Sequence, residues 1–428
     1  MELDVLHPRT KIVATTFIGT FFGWLEYASF TCLLPVISTL FFPTTSSKAR
    51  FIGAVTIVFS TYIIRPVGAI MFGSIGDKYG RKIALSIALS LMGISSLVIS
   101  YLPPYNEIGL LASILLMFCR CTQGLAIAGE MNGASIFLLE HTHNHFPTVA
   151  TTWPVLASGI GILLGVTFPN IMKRQFLLTW GWRIPFLFST VSCFIFAYLR
   201  VIVNETPIFT ELHHDKQLEK KPLTLLFCCY KNNFMKSLMI GSFIVIYFVI
   251  SAVYLNRFLT HQLKYQPHDA LALTLLGSAL MLALMPIIAM IADKIGGRNI
   301  SLMGLIGCCI IAPLLFILIT THSPFILISM QAFFAFFTAS AFTPLFLMQI
   351  RLFPPAVQYT ALSLTWAISL SLFSTTTLLL MNQLWLWAHS FLLEPFIASM
   401  CALIILIMVF TIPRPGESVE ETPRAFGL

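Results

Sequence analysis

Four ionisable residues stand out inside the long apolar runs of the sequence. They are Glu26, Arg65, Arg120 and Glu130. In a membrane-spanning helix each such residue costs about 3 kcal/mol on insertion scales, so its presence indicates a role in function. A buried carboxyl group beside an arginine can take up and release a proton, and an arginine can bind a carboxylate. The four residues therefore predict proton-coupled binding of a small charged molecule.

The residues around Arg120 follow a helical spacing. Separations of 3, 4 and 3 positions form a stripe of Arg120, Gln123, Ile127 and Glu130. At ~100° per residue the stripe occupies an arc of about 80° on one helix face. Its two charged ends would be roughly 15 Å apart, too far for a direct ion pair. Each therefore needs a partner from another helix or from a substrate. A purely structural alternative is a buried pair such as Arg65 with Glu130.

Two sets of candidate residues follow from these positions. The proton-coupling candidates are Glu26, Glu130 and Arg120. The substrate-binding candidates are Arg120, Gln123, Arg65, Trp24, Tyr27 and Gln331. Aromatic faces can bind a quaternary ammonium group, but in a chain with 38 phenylalanines ordinary packing is the alternative for most rings. The second half of the chain has almost no ionisable residue at mid-membrane depth, so its strongly polar candidates are Gln331 and Asn382.

The elements that position these residues must be membrane helices. The chain of 428 residues is 57% hydrophobic and 10% charged, whereas a soluble domain is about a quarter charged. Apolar runs of about 20 residues, long enough to cross ~30 Å of hydrocarbon, recur along the sequence and predict twelve transmembrane helices. Their limits are 12–42, 51–75, 82–102, 107–138, 148–172, 182–203, 235–259, 269–292, 299–320, 323–349, 356–382 and 389–412.

The distribution of lysine and arginine predicts the orientation. With the N-terminus in the cytoplasm, fifteen of them fall on the inner side and seven on the outer side, in agreement with the positive-inside rule. We therefore expect both termini in the cytoplasm. The predicted domains are an N-terminal six-helix half (1–203), a cytoplasmic linker (204–234), a C-terminal six-helix half (235–412) and a cytoplasmic tail (413–428).

A charged segment with glycines, between the second and third helices of a half, occurs twice. "GSIGDKYGRK" covers residues 73–82, and "AMIADKIGGR" covers residues 289–298. Asp77 and Asp293 are 216 residues apart, close to half of the chain. The recurrence predicts an internal duplication, with two halves related by an axis along the membrane normal.

These segments resemble a known family. "GSIGDKYGRK" is similar to the loop between helices 2 and 3 of the major facilitator superfamily. "RPVGAIMFGSIGDKYGRK", "RCTQGLAIAGEMNGA", "GWRIPFLFS" and "NETPIF" resemble its metabolite:proton symporter branch, which includes carriers of proline and betaine, 2-oxoglutarate, citrate and shikimate. The resemblance implies an all-α integral membrane protein with the twelve-helix major facilitator fold. It also implies secondary transport by alternating access in the inner (plasma) membrane of a prokaryote.

The resemblance further implies roles for individual residues. In the family the loop between helices 2 and 3 braces the cytoplasmic side of the outward-open state. The gating candidates are Gly73, Asp77, Gly80, Arg81, Lys82, Asp293 and Arg298. "Arg120-x-x-Gln123-Gly124" matches a fourth-helix motif of the superfamily whose arginine is associated with proton transfer.

The sequence departs from the branch in "RLFPPAVQYTA". Arg351 stands where an acid is expected, Gln358 replaces an arginine, and Ala361 replaces a glycine. Because the usual charge contact cannot form there, a transporter-like sensor that no longer moves solute is an alternative. An efflux antiporter is another alternative, disfavoured by the absence of the family's antiporter pattern from helix 5.

No cofactor or metal site is predicted, and we do not expect an enzyme. The sequence lacks a Gly-x-x-x-x-Gly-Lys-Ser/Thr nucleotide-binding loop. His141, His143 and His145 form a poor metal site, and the nine cysteines lack metal-ligand spacing. The expected partners are a small organic acid or zwitterion, a proton and membrane lipid. We expect no nucleic-acid partner, and we expect a monomer.

Overall fold

The computed structural model describes residues 8–42, 47–142, 145–171, 174–318, 323–374, 376–377, 379–380, 383 and 393–412. Within these ranges the regular secondary structure is helical, and turns and short loops join the helices. The predicted tail 413–428, Asn382 and His143 lie outside the described residues.

The helices before residue 203 are called the N half. They are α1 (Pro8–Cys32), α2 (Leu34–Phe41), α3 (Ser47–Tyr79), α4 (Arg81–Tyr101), α5 (Tyr105–Ile108), α6 (Leu110–His141), α7 (Pro147–Ile171), α8 (Arg174–Thr179) and α9 (Ile184–Ile202), the last preceded by a 3₁₀ turn at Gly181–Arg183.

Two short helices follow in the linker, α10 (Pro207–His214) and α11 (Pro222–Cys229). The helices after them are called the C half. They are α12 (Lys231–Val249), α13 (Leu255–His261), α14 (Pro267–Ile295), α15 (Gly297–Leu318), α16 (Pro324–Arg351), α17 (Gln358–Ile368) and α18 (Leu393–Val409). A π-helical turn at Ile250–Tyr254 joins α12 to α13, and another at Ser369–Phe373 continues α17.

The order of the helices agrees with the twelve predicted spans. In the described part of the chain, nine helices are long and apolar enough to cross a membrane, and the bent pair α1–α2 makes ten. The pair bends by 68°, next to Pro35 in the first turn of α2, because proline cannot continue the hydrogen bonding of a preceding helix. The last two predicted spans correspond to α17 with its π turn and to α18. The predicted fold class is confirmed, whereas the residue limits of the four domains stay predictions.

The repeated loop has the same backbone conformation in both halves. Gly80 ends α3 with φ of 115°, and Gly296 ends α14 with φ of 106°. Residues with a Cβ rarely adopt this conformation, so glycine allows the sharp turn into the next helix. The sequence repeat is therefore also a structural repeat.

The outer surface of the helices is apolar. Ile63 is 72% exposed and Phe325 is 79% exposed. A continuous apolar surface is unfavourable in water but matches the hydrocarbon of a bilayer. The surface and the helix lengths together agree with a protein that spans a membrane several times.

Helices α1 and α7 pack closely inside the N half because of glycines. A Cβ at Gly165 would overlap the backbone oxygen of Leu25 and the side chain of Ala28. The same approach allows Ser29 Oγ to donate a hydrogen bond to the Gly165 carbonyl at 3.2 Å. Small residues at such contacts stabilise membrane helices through dispersion and short polar contacts.

We expect Gly165→Ala to separate α1 from α7 and to destabilise the protein by about 1–3 kcal/mol, as overpacking usually does. The measurement is thermal unfolding of the purified protein in detergent. The matched control is Gly19→Ala on α1, where a Cβ would meet Leu89, Phe196 and Arg200 at ordinary distances of 3.6–3.7 Å. Equal melting temperatures for the two variants would contradict this account of the packing.

Candidate functional site

A hydrogen-bonded cluster around Glu26 joins α1, α4 and α6. The Glu26 side chain is buried, and its carboxylate accepts hydrogen bonds from Ser96 Oγ at 2.6 Å and Gln123 Nε2 at 2.5 Å. Gln123 Oε1 accepts a hydrogen bond from Arg120 Nη1 at 2.7 Å. The same Arg120 nitrogen lies 3.7 Å from Glu26 Oε1. Gln123 therefore links the acid to the arginine.

The helical spacing explains this arrangement. Arg120 and Gln123 are three residues apart on α6, so they lie on the same face, one above the other. Glu26 approaches that face from α1, and Ser96 approaches it from α4. The structure thus brings together three of the predicted site residues within one half.

Arg65 on α3 is surrounded by aromatic rings. Its guanidinium carbon lies 4.6 Å from the ring centroid of Tyr62, 4.8 Å from that of Tyr27 and 5.9 Å from that of Trp24. These distances are within the range of cation–π attraction. The guanidinium carbon of Arg120 lies 5.4 Å from the same Tyr27 ring. Tyr27 therefore lies next to both arginines, and the predicted aromatic candidates bind a cation of the protein itself.

Several buried donors at this place have no hydrogen-bond partner within the described ranges. They are Nε and Nη2 of Arg65, Nε1 of Trp24 and the hydroxyl of Tyr27. An unpaired buried donor costs roughly 1–3 kcal/mol. With all groups ionised, Arg65, Arg120 and Glu26 carry one more positive than negative charge. A carboxylate would supply the missing acceptor and the missing negative charge together.

Glu130 belongs to a second buried pair. Its Oε1 accepts a hydrogen bond from Thr20 Oγ1 at 2.8 Å and from Arg200 Nη2 at 3.4 Å. The partner is therefore Arg200 on α9, and not Arg65 as the structural alternative from the sequence had it. Thr20 precedes Glu26 by six residues on α1, a rise of about 9 Å. The two acids thus lie at different depths of the N half.

The two halves meet at the predicted cytoplasmic side, where Asp77 binds the start of α17. Its carboxylate accepts hydrogen bonds from the backbone N–H groups of Tyr359 at 3.2 Å and Thr360 at 2.9 Å. A carboxylate at a helix N-terminus is stabilised by the helix dipole and by the free N–H groups. Gly73 allows the approach, because a Cβ there would overlap the backbone of Thr360.

Arg81 connects the same region to both halves. It donates to Glu140 Oε1 at 3.2 Å and to the Gly76 carbonyl at 3.1 Å within the N half. It also donates to the Pro355 carbonyl of the C half at 2.6 Å, and lies 3.8 Å from Asp77. Glu140 on α6 was not among the sequence candidates. Its position at the end of an apolar run, next to a charged loop, is the sequence feature by which it could have been found.

Lys82 contributes through its backbone to this region. Its N–H group donates to both carboxylate oxygens of Glu205 at 3.1 and 3.2 Å, next to Gly80. Burial raises the pKa of Glu205, while the backbone N–H groups of Thr206 and Lys82 and the charge of Arg81 oppose the rise. Glu205 lies in the "NETPIF" segment and holds the linker against the first turn of α4.

The second copy of the loop makes a corresponding contact. Asp293 accepts hydrogen bonds from the backbone N–H groups of Thr148 at 2.9 Å and Val149 at 3.1 Å, at the start of α7. Arg298 behaves differently from Arg81, because it donates to the carbonyls of Ile412 at 3.0 Å and Phe410 at 3.3 Å within its own half. Asp293 thus lies between the halves, whereas Arg298 holds the end of α18.

Gln331 lies apart from the charged cluster, in the C half. Its side chain is buried, and neither amide atom has a hydrogen-bond partner in the part of the chain that the structure describes. It lines a cavity together with Ser251, Thr274, Gly277, Met281 and Phe334.

The described residues contain no group of three or more metal-ligating side chains that could hold an ion.

A comparison with protein families matches the Major Facilitator Superfamily to residues 16–374. The chain is 30% identical over 327 residues to the proline/betaine transporter of Escherichia coli (strain K12), covering 73% of this chain and 65% of that relative. The match thus spans slightly less than two thirds of the relative's length. The chain is 28% identical over 377 residues to the glycine betaine/proline/ectoine/pipecolic acid transporter OusA of Dickeya dadantii (strain 3937), covering 84% and 74%.

Among solved structures, the fold is similar to that of the proton:xylose symporter XylE bound to 6-bromo-6-deoxy-D-glucose. The TM-score is 0.76 at 17% sequence identity, and the alignment covers 95% of this chain and 96% of XylE. At this identity the likeness supports the fold alone.

We expect Arg200→Leu to destabilise the protein by about 3–5 kcal/mol, because it leaves the carboxylate of Glu130 buried without its partner. The double variant Glu130→Gln/Arg200→Leu removes both charges and should recover most of the loss. Thermal unfolding of the single and double variants measures the effect. An Arg200→Leu protein as stable as the parent would show that the ion pair contributes nothing to the free energy of unfolding.

Proposed function

The chain belongs to the major facilitator superfamily and is a multi-pass membrane transporter rather than an enzyme, and from this we propose that it carries a small carboxylate-bearing zwitterion together with a proton. It works by alternating access across the inner (plasma) membrane of a prokaryote, with both termini in the cytoplasm. Proline and betaine, which the names of the relatives give as their substrates, are the first compounds to test.

The excess positive charge of the Glu26 cluster is the observation that carries the proposal. Arg65 and Arg120 both lie against Tyr27, and Glu26 is the carboxylate nearest to Arg120. A buried cation without a counter-ion is costly in a low dielectric. A substrate carboxylate at Arg65 would balance the cluster and pair with its free N–H groups.

The same charges provide a coupling between substrate and proton. When Glu26 is ionised, the cluster has an excess of one positive charge; when Glu26 is protonated, the excess is two. Protonation of Glu26 therefore strengthens binding of a carboxylate, and a bound carboxylate favours protonation. This reciprocity is what linkage requires of two ligands that favour each other. Gln123 transmits the change because it is bonded to Glu26 and to Arg120.

The neutral interior of the C half supports a zwitterion over a dicarboxylate. Residues 237–256, 270–292, 299–318, 323–350 and 358–374 contain no Asp, Glu, Lys or Arg. The second end of the substrate would face neutral surfaces there, among which the cavity of Gln331 offers an amide and three hydroxyl groups. A second carboxylate would find no cation in these segments, whereas an ammonium group can be screened by hydroxyl and amide oxygens.

The contacts between the halves support a state closed to the cytoplasm. Asp77, Arg81 and Asp293 each bond across to the other half. In that state the substrate would enter from outside and reach the Glu26 cluster. Return to the outward state then requires both aspartates to bind the helix N-termini again.

The test is proton movement in proteoliposomes challenged in turn with proline, glycine betaine, 2-oxoglutarate, citrate and shikimate. We expect proton entry with proline or glycine betaine. Proton exit would support exchange instead, and silence with every compound, in protein shown to be folded, would overturn the proposal.

Two variants examine the assigned residues. We expect Arg65→Gln and Arg120→Ala to weaken binding of the carboxylate by about tenfold to a hundredfold, because each removes a charge-assisted hydrogen bond worth ~1.5–3 kcal/mol. Isothermal titration in detergent measures the affinity. The control is Lys231→Gln, which removes an exposed cation outside the cluster and should leave the affinity unchanged. Unaltered affinity in Arg65→Gln would exclude it from the site.

Glu26→Gln is expected to separate binding from proton movement. The neutral side chain resembles the protonated acid, so the substrate should still bind. Exchange of internal for external substrate across the liposome membrane should also continue. Net uptake driven by a proton gradient should be lost, together with the pH dependence of the affinity. Full gradient-driven uptake by Glu26→Gln would assign the proton to another group, with Glu130 the next candidate.

A further inference from the structure

Tyr359 is a C-half residue whose side chain lies inside the N half. It belongs to the first turn of α17 and is 0% exposed. Its hydroxyl donates a hydrogen bond to the Gly129 carbonyl of α6 at 3.0 Å. Its backbone N–H donates to Asp77 at 3.2 Å. One residue is therefore bonded across the interface at both ends.

Two glycines of the N half make room for the side chain of Tyr359, and we call them the glycine socket: Gly76 and Gly133. A Cβ at Gly76 on α3 would overlap the edge of the ring, and a Cβ at Gly133 on α6 would overlap the phenol oxygen. Gly129, whose carbonyl accepts the Tyr359 hydroxyl, lies four residues before Gly133 on the same face of α6. A Cβ at Gly129 would overlap Phe72 and not the Tyr359 ring. Gly76 and Gly133 thus have a steric reason that concerns Tyr359.

The corresponding contact of the other repeat has no such ring. Asp293 binds the start of α7 through the N–H groups of Thr148 and Val149, as Asp77 binds the start of α17 through those of Tyr359 and Thr360. Thr148 therefore occupies the position in α7 that Tyr359 occupies in α17. The two contacts share the carboxylate but differ by a buried aromatic side chain.

The departures in "RLFPPAVQYTA" fit this difference. Gln358, which stands where the branch has an arginine, donates to the carbonyls of Ile350 at 2.9 Å and Phe353 at 3.3 Å. Both belong to its own half, so the side chain of Gln358 makes no bond to the N half in the described contacts. The neighbouring Tyr359 makes that connection instead.

We propose that Tyr359 is a positioning residue that holds the cytoplasmic side closed during the transport cycle. It does so by placing its ring in the glycine socket. The contact between α3 and α17 is then the stronger of the two aspartate contacts. The contact between α7 and α14 is the weaker one and opens more readily. The place of this event in a transport cycle rests on the proposed function, but the contact itself requires no substrate.

Hydrogen–deuterium exchange of the purified protein in lipid nanodiscs without substrate tests the proposal, because the amides of Tyr359 and Thr360 are themselves bonded across the interface. Gly133→Ala blocks the socket and should accelerate exchange of these two amides about tenfold or more, as a local opening equilibrium predicts. Tyr359→Phe keeps the ring and loses one hydrogen bond, so it should produce a smaller acceleration. Tyr359→Ala should resemble Gly133→Ala.

Matched variants separate this effect from general destabilisation. Thr148→Ala changes the residue of the other repeat that corresponds to Tyr359 but keeps its backbone N–H bond to Asp293, and it should leave exchange at residues 359 and 360 unchanged. Gly19→Ala, which has room for a Cβ, should leave exchange unchanged everywhere. Parent-like exchange in both Gly133→Ala and Tyr359→Ala would overturn the proposal. So would acceleration spread evenly over α4, α6 and α9, since that pattern indicates loosening of the N half alone.

A transport measurement adds a second test of the role of Tyr359 in the transport cycle. If the chain carries proline or glycine betaine, Tyr359→Phe should change the maximal rate of gradient-driven uptake more than the affinity for substrate. Loss of affinity with an unchanged rate would assign Tyr359 to the binding site instead. If no compound is carried, only the proposed function fails. The hydrogen–deuterium exchange result still decides whether the glycine socket holds the two halves together.

Discussion

The cost of an uncompensated charge in hydrocarbon governs the interior of the N half. Glu130 is balanced by Arg200, and Glu26 is balanced through Gln123 and Arg120. Arg65 has aromatic rings in place of a carboxylate. Since aromatic faces attract a cation less strongly than an ion pair does, this is where the protein itself leaves a charge to be balanced. The proposed recognition of a carboxylate and the proposed class of substrate both rest on that imbalance.

The contact between the halves uses a different source of positive charge. Asp77 and Asp293 bind backbone N–H groups at helix starts, so the partner of each carboxylate is a helix dipole and not a basic side chain. A helix start cannot be lost by substitution of one side chain. This explains how the chain tolerates Gln358 and Ala361 where its branch has an arginine and a glycine.

Much of the fold was predictable because it depends on local properties of the sequence. Apolar run length located the helices, and the repeated Asp–Lys–x–Gly pattern located two equivalent turns with glycine at positive φ. The 3.6-residue period also placed Arg120 and Gln123 on one face. The partner of Glu130 was not predictable, because Arg200 lies near the end of an apolar run and only tertiary packing brings α9 against α6. Tyr62 and Tyr359 were not predicted for the same reason, since nothing in the adjacent sequence distinguishes them from packing residues.

The π-helical turns at Ile250–Tyr254 and Ser369–Phe373 have a consequence for how this half of the chain can vary. A π turn holds one residue more than an α turn, so removing a residue there would restore a regular helix and leave the segments on either side in place. Removing a residue from a regular helix would instead rotate everything beyond it by about 100°. Ser371, which donates to the Tyr62 carbonyl at 2.6 Å, lies within the second π turn, so its contact with α3 is the one that such a deletion would alter. In a lineage of such proteins, single-residue deletions at these turns would change the side chains of the turns themselves, while the helices on either side stay in place.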